Sequence, residues 1–199
     1  MKPDLTLESL RPSPCCGIDE AGRGPWAGPV VAAAVILPSV PFGVDDSKKL
    51  SAKQRNAVFD AIISIASFGI GIASVEEIDR LNILQATFLA MRRAVAVLPI
   101  MPAFALIDGN SAALELPCQA EAIVKGDGRC ASIAAASILA KVTRDRIMAE
   151  LSQVYPGYGW ESNMGYGAPA HSAGLQRLGV TPYHRRSFKP IHNILWEAK

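Results

Sequence analysis

Two kinds of apolar pattern alternate along this chain. Residues 30–37, Val-Val-Ala-Ala-Ala-Val-Ile-Leu, are apolar without interruption and lie between Pro29 and Pro38. That is the pattern of a central strand buried on both faces. Shorter apolar runs at 16–20, 68–73, 104–107 and 120–124 read as further strands. Between them the period becomes helical. Ser51-Ala-Lys-Gln54 has the spacing of a capping box, and Val58, Ile62 and Ile65 recur behind it at helical intervals. Ser74-Val-Glu-Glu77 and Asn82-Ile-Leu-Gln85 repeat the box, so a short helix and a longer one over about 83–97, ended by Pro99, are expected. The longest helix is expected over about 131–154, rich in alanine and charged only in its second half. After a glycine-rich loop at 156–167, a helix opens at Pro169 and is capped by Gly179. Strands come first and alternate with helices, which predicts an α/β fold with a mixed sheet. Residues 1–14, polar and punctuated by proline, are expected to form a flexible arm before a single domain over 15–199.

Composition adds little until the charges are placed. Half of the 199 residues are hydrophobic, enough for one full core, and the net charge is only +2. From Arg177 onward, however, Arg177, Arg185, Arg186, Lys189 and Lys199 stand against Glu197 alone. Such a segment suits a polyanion, or is simply a solvated helix face. Cys15, Cys16, Cys118 and Cys130 form no C-x-x-C pair and read as small buried thiols of a reducing compartment. No signal-peptide core and no run long enough to span a bilayer is present, so the expectation is a soluble, cytoplasmic protein without a membrane partner.

The candidate chemistry lies where apolar runs end. Asp19 and Glu20 close the first strand, Asp108 closes the strand at 104–107, and Asp127 follows the strand at 120–124. Each acid stands next to a glycine-containing turn. In open α/β sheets, ligand groups gather beyond the carboxyl ends of neighbouring strands, so these acids can converge on one site. Adjacent carboxylates at a buried strand end repel and lose hydration, and hard divalent cations such as Mg²⁺ or Mn²⁺ relieve them. Because neighbouring strand residues point to opposite faces, Asp19 and Glu20 need a bend to share one ion, which Gly22 and Gly24 could supply. Four carboxylates without a serine or thiol nucleophile suit a pair of metal ions acting on a phosphodiester. No Walker loop, dinucleotide fingerprint or serine-hydrolase elbow is present. His171, His184 and His192 are too scattered for a metal triad and read as helix-terminal or surface residues.

An ordered set of segments resembles the ribonuclease HII family, the type 2 ribonucleases H. It comprises Gly17-Ile-Asp-Glu-Ala-Gly-Arg-Gly-Pro25, Asp46-Ser-Lys-Lys-Leu-Ser51, Glu77-Ile-Asp-Arg-Leu-Asn-Ile-Leu84, Leu106-Ile-Asp-Gly-Asn110 and Lys125-Gly-Asp127. It continues with Ala134-Ala-Ala-Ser-Ile-Leu-Ala-Lys-Val-Thr-Arg-Asp145, Gly165-Tyr166 and His184-Arg-Arg-Ser-Phe188, so that it covers nearly the whole chain. The resemblance implies a ribonuclease H-like fold: a five-stranded mixed sheet flanked by helices, with a helical, substrate-contacting C-terminal extension over about 155–199. It implies an endonuclease, here expected as a monomer, acting on RNA–DNA hybrids and on duplex DNA containing single ribonucleotides. The family cuts on the 5′ side of the ribonucleotide, leaving 3′-hydroxyl and 5′-phosphate ends, in the removal of ribonucleotides during replication and repair. Asp19, Glu20, Asp108 and Asp127 fall on its catalytic, metal-binding acids, with Mg²⁺ or Mn²⁺ as cofactor. Gly22, Arg23 and Gly24 fall on its sensor of the 2′-hydroxyl, and Tyr166 on the tyrosine that stacks on the deoxyribose beyond the ribonucleotide. Lys48 and Lys49 are expected to contact backbone phosphate, whereas Lys141 and Arg144 are expected to form structural ion pairs. The chain departs from the family at Met164-Gly-Tyr166-Gly167-Ala168, where Lys-Gly-Tyr-Pro-Thr is common; the departure removes a cation and a hydroxyl able to cap the next helix. It departs again at Gly128, which follows Asp127 where serine or alanine is frequent and is expected to loosen that loop.

Overall fold

The computed structural model describes residues 2–45, 50–111 and 115–197. In chain order these form α1 (Thr6–Ser9), β1 (Cys15–Ala21), β2 (Val30–Ile36), α2 (Ala52–Ile65), β3 (Ser67–Ala73), α3 (Val75–Leu81) and α4 (Ile83–Ala96). Then follow β4 (Phe104–Asp108), β5 (Gln119–Ile123), a 3₁₀ turn (Gly126–Gly128), α5 (Ala131–Val154), α6 (Trp160–Asn163), α7 (Pro169–Leu178) and α8 (Lys189–Glu197). The five strands make one sheet in the order β3-β2-β1-β4-β5. Strands β1, β2 and β3 pair antiparallel, while β4 runs parallel to β1 and β5 parallel to β4, so the sheet is mixed as expected.

The uninterrupted apolar run of β2 is central because both of its faces are covered. Val30, Ala32 and Ala34 enter a core with Ala86, Ala90, Met91 and Ala94 of α4, whereas Val31, Ala33 and Val35 enter a second core with Val58 and Ile62 of α2 and the alanines of α5. Small residues let these helices lie close to the sheet. A Cβ at Gly71 would stand 2.0 Å from the Ala90 carbonyl oxygen, and one at Gly17 would stand 2.2 Å from the Ser132 backbone. The first turns of α5 are buried all round, which explains the lack of charged residues there. Of the three expected capping boxes, those at Ser51 and Ser74 form in full, each cap accepting from Gln54 N or Glu77 N and each glutamine or glutamate reaching back, while Asn82 caps α4 by accepting from Leu84 N and Gln85 N.

The segment expected as a flexible arm makes specific contacts instead. Glu8 of α1 accepts from Ser132 N at 2.9 Å, and Ala131 N donates to the Asp4 carbonyl at 2.9 Å. Cys130 at the start of α5 supplies no side-chain cap, so the N-terminal segment satisfies N–H groups of that helix that its own sequence leaves open. Cys15, Cys16 and Cys130 are buried free thiols and Cys118 is half-buried. The C-terminal helices enclose a third core around Trp160, Met148, Leu175 and Ile191. Among the described residues, no helix is long and apolar enough to cross a membrane.

Candidate active site

The site lies at the carboxyl ends of β1 and β4. The parallel register pairs Ile18 with Ile107, so Asp19 and Asp108 are the next residues on neighbouring strands and share a face. They border an open cleft of about 340 Å³ together with Glu20, Gly22, Arg23, Gly24, Ser137, Lys141, Arg144 and Tyr166. Residues from four separate stretches of sequence therefore meet here, carried by β1 and its following loop, β4, α5 and the loop before α7.

No bend falls between the two adjacent acids themselves. The β1–β2 register runs unbroken through Ala21, so Glu20 enters the cleft from the alternate face of β1. The turn comes later, at Gly22, whose φ of +97° lies in the region that glycine tolerates. Each acid leans on a protein donor: Asp19 Oδ1 on Glu20 N at 2.7 Å, Glu20 on Arg23 Nη1 at 3.1 Å, and Asp108 Oδ1 on Gly126 N at 2.7 Å. Burial pushes the Asp19 carboxyl well above the usual range, and the neighbouring charges of Glu20 and Asp108 push it the same way. Burial also raises Glu20, opposed by its hydrogen bond and charge attraction to Arg23.

Asp127 is buried in the 3₁₀ turn and is not among the residues lining the cleft. It sits one residue beyond the Gly126 N–H that holds Asp108. Its neighbour Gly128 has nothing within 4 Å of where a Cβ would be, so glycine is not sterically required there. Among the described residues, no three acidic, histidine or cysteine side chains are already grouped to hold a metal ion. The acids of the cleft nevertheless fit a hard divalent cation: they offer only carboxylate oxygens, and such an ion would offset both the burial and the neighbouring negative charges that raise Asp19. Lys48 and Lys49 lie outside the described residues.

Tyr166 is half exposed, and its ring lies 3.4 Å from where a Cβ on Gly24 would be. The altered motif around it has a packing reason. A Cβ at Gly167 would stand 2.1 Å from the Trp26 ring, and Ala168 opens α7 without a side-chain cap, as the missing hydroxyl implies. Trp26 N donates to the Gly165 carbonyl at 2.8 Å, joining the glycine loop to the tyrosine turn.

Four residues differ from their expected surroundings. His171, in the first turn of α7, and His184 are fully buried beside each other rather than on the surface. Lys141 pairs with Asp145 at 2.7 Å as expected, but Arg144 binds backbone carbonyls rather than an acid. Arg185, counted with the basic C-terminal segment, is wholly buried. The signal available for both arginines was their place inside otherwise well-matched motifs; their carbonyl partners lie far away in sequence.

The family model for Ribonuclease HII matches residues 16–191. The chain belongs to the ribonuclease HII family. It is 58% identical over 197 residues to a ribonuclease HII of Jannaschia sp. (strain CCS1), covering 98% of this chain and 99% of that one. Ribonuclease HII of Paracoccus denitrificans is 56% identical, covering 97% and 95%. Among solved structures, the ribonuclease H2 of Pyrococcus horikoshii OT3 superposes with a TM-score of 0.78 at 29% identity, covering 92% of this chain and 97% of that one. The five-stranded mixed sheet is thus the ribonuclease H-like fold, and the chain is an endonuclease of the ribonuclease H class, whose family cleaves the RNA of RNA–DNA hybrids.

Proposed function

We propose that this ribonuclease HII cuts on the 5′ side of ribonucleotides, in hybrids and singly embedded in duplex DNA, leaving 3′-hydroxyl and 5′-phosphate ends. Such an activity serves ribonucleotide removal during DNA replication and repair. The observation that carries this reading is the meeting of Asp19, Glu20 and Asp108 in one cleft with Gly22, Arg23, Gly24 and Tyr166.

Asp19, Glu20 and Asp108 would hold Mg²⁺ or Mn²⁺, with Asp127 joining from the turn behind Asp108. Two divalent ions at such a site supply the positive charge that activates a water and stabilises the leaving oxygen of an in-line displacement. The chain's own groups do the recognition. Backbone groups of Gly22–Gly24 approach the 2′-hydroxyl, the group that separates RNA from DNA. Arg23 is about half exposed in its pair with Glu20 and has the reach and charge to hold an adjacent phosphate. The Tyr166 ring, over Gly24, offers an apolar face to the deoxyribose that follows. Lys48 and Lys49 would add phosphate contacts that are independent of sequence.

The test is hydrolysis of a labelled RNA–DNA hybrid with Mg²⁺ or Mn²⁺, comparing the chain with Asp108→Asn and Asp127→Asn. Loss of a group that merely orients a metal ligand typically lowers activity by about 10–100-fold, so loss of a ligand should exceed that in both variants. Near-normal activity in Asp127→Asn would remove the fourth acid from the site, and near-normal activity in Asp108→Asn would overturn the metal assignment.

A further inference from the structure

Two buried guanidinium groups lie at the cleft, that of Arg144 in its lining and that of Arg185 behind it. Arg144 and Arg185 are 1% and 0% exposed. Burial lowers them to about 10 and about 9, so both keep their charge at neutral pH. Among the described residues, no carboxylate is hydrogen-bonded to either and every hydrogen-bond acceptor is a backbone carbonyl, while the Arg185 guanidinium also lies over the Phe188 ring at 5.0 Å. Arg144 donates from Nε to Pro29 at 3.0 Å, from Nη2 to Ala27 at 3.0 Å and from Nη1 to Met164 at 2.9 Å. Arg185 donates from Nε to Gly28 at 2.9 Å, from Nη1 to Arg23 at 2.9 Å, and from Nη2 to Gly22 and to Pro29 at 2.5 and 3.1 Å.

Burying a charge without an acid beside it is expensive, and pinning a loop needs no charge. What the planar fork adds is direction. In a trans peptide the carbonyl and the following N–H point opposite ways. With the Gly22 and Arg23 carbonyls turned toward Arg185, the N–H groups of Arg23 and Gly24 point away from it. Both of those residues border the cleft, and Arg185 does not. Arg144 adds a second link, because its one guanidinium spans Ala27 and Pro29 of the glycine loop and Met164 of the turn that carries Tyr166. Its side chain also lies directly against Gly22, where a Cβ would stand 2.0 Å from Nε.

We propose that Arg144 and Arg185 are positioning residues for ribose recognition: they hold the carbonyls of the 22–29 loop inward so that the Arg23 and Gly24 amides face the substrate, and they fix that loop to the Tyr166 turn. The inference rests on the reading above, that Gly22–Gly24 and Tyr166 recognise the ribonucleotide.

The test compares Arg185→Lys and Arg144→Lys, which keep a cation and lose the fork, with Gly24→Ala as a probe of the loop itself. A duplex with one ribonucleotide is the substrate, and an all-DNA duplex of the same sequence is the competitor. The readout is the ratio of the competitor's inhibition constant to KM, alongside thermal unfolding to show that each variant is folded. The expected result is a ratio reduced by roughly 10–100-fold in each lysine variant, the scale of a small misplacement of recognition groups. A purely structural role would raise both constants together and leave the ratio unchanged. That outcome, with Gly24→Ala lowering the ratio, overturns the positioning role and leaves the reading of the loop intact. An unchanged ratio in Gly24→Ala overturns the loop reading and this proposal with it. Each lysine variant is a separate test, so Arg144→Lys decides the matter if Arg185→Lys does not fold.

Discussion

His171 Nε2 lies 3.0 Å from His184 Nε2, with both rings buried among Tyr158, Trp160 and Trp26. The surrounding donors assign the tautomers. Thr181 N donates to His184 Nδ1, which leaves the His184 proton on Nε2, pointing at His171. Trp160 Nε1 also donates to His171 Nε2, so the His171 proton is on Nδ1 and goes to the Tyr166 carbonyl at 2.9 Å. Two neutral imidazoles thus link Thr181 to the backbone of Tyr166, which borders the cleft.

Protonating either ring would set two N–H groups against each other. Burial lowers both histidines, and His184, with His171 beside it, falls to about 3. The unfolded chain therefore takes up protons near pH 6.5 that the folded chain refuses, and the pair's contribution to stability is present above that pH and declines as pH falls toward 3. Tm should hold steady from pH 8 to 7 and drop progressively below about 6.5. His184→Gln should show a shallower pH dependence, which thermal unfolding across this range checks. Equal slopes in the two proteins would assign the acid sensitivity elsewhere.

Asp19 makes the opposite contribution. Its raised position means that ionisation destabilises the fold, and the effect is largest above its folded value. Asp19→Asn keeps an oxygen for the Glu20 amide and removes the charge. In EDTA at pH 8, Tm should rise by about 2–4 °C, the equivalent of about 1 kcal/mol in a domain of this size. Added Mn²⁺ should raise Tm in the unaltered chain and not in the variant. An Asp19→Asn protein that is less stable in EDTA would contradict the repulsion argument.

Gly22 and Gly24 should respond differently to alanine. Gly22 has a positive φ, and a Cβ there meets Arg144 Nε at 2.0 Å, so Gly22→Ala should lose stability as well as activity. At Gly24 the nearest contact is Tyr166 Cε1 at 3.4 Å. Gly24→Ala should leave Tm within about 1–2 °C of the parent, corresponding to at most about 0.5 kcal/mol. Its cleavage at a single ribonucleotide should nevertheless fall. Equal Tm losses in both variants would show that the loop at Gly24 is packed as tightly as at Gly22.

Local signals carried most of the fold into the sequence. The boxes at Ser51 and Ser74, the run at 30–37, and the breaks at Pro169 and Gly179 act within a few residues, and the elements follow them. That Asp19, Glu20 and Asp108 meet in one cleft was legible for a similar reason, since they close neighbouring apolar strands, whereas Asp127 lies in the turn behind them. What was not legible depends on partners distant in sequence. Arg185 reaches carbonyls at Gly22 and Arg23, Glu8 caps a helix that begins at Ala131, and His171 meets His184 only after α7 turns back. Period and spacing do not encode such meetings. The alternation of Asp19 and Glu20, by contrast, follows from strand period alone, and the unbroken register through Ala21 agrees with it.

The most direct measurement is cleavage of a labelled DNA duplex carrying one ribonucleotide, with Mg²⁺ or Mn²⁺, beside an all-DNA duplex and a continuous hybrid. The account predicts a single cut on the 5′ side of the ribonucleotide, lost in EDTA, and no cut in the all-DNA duplex. Cleavage of the hybrid with the single-ribonucleotide duplex left intact would contradict the roles given to Gly22–Gly24 and Tyr166.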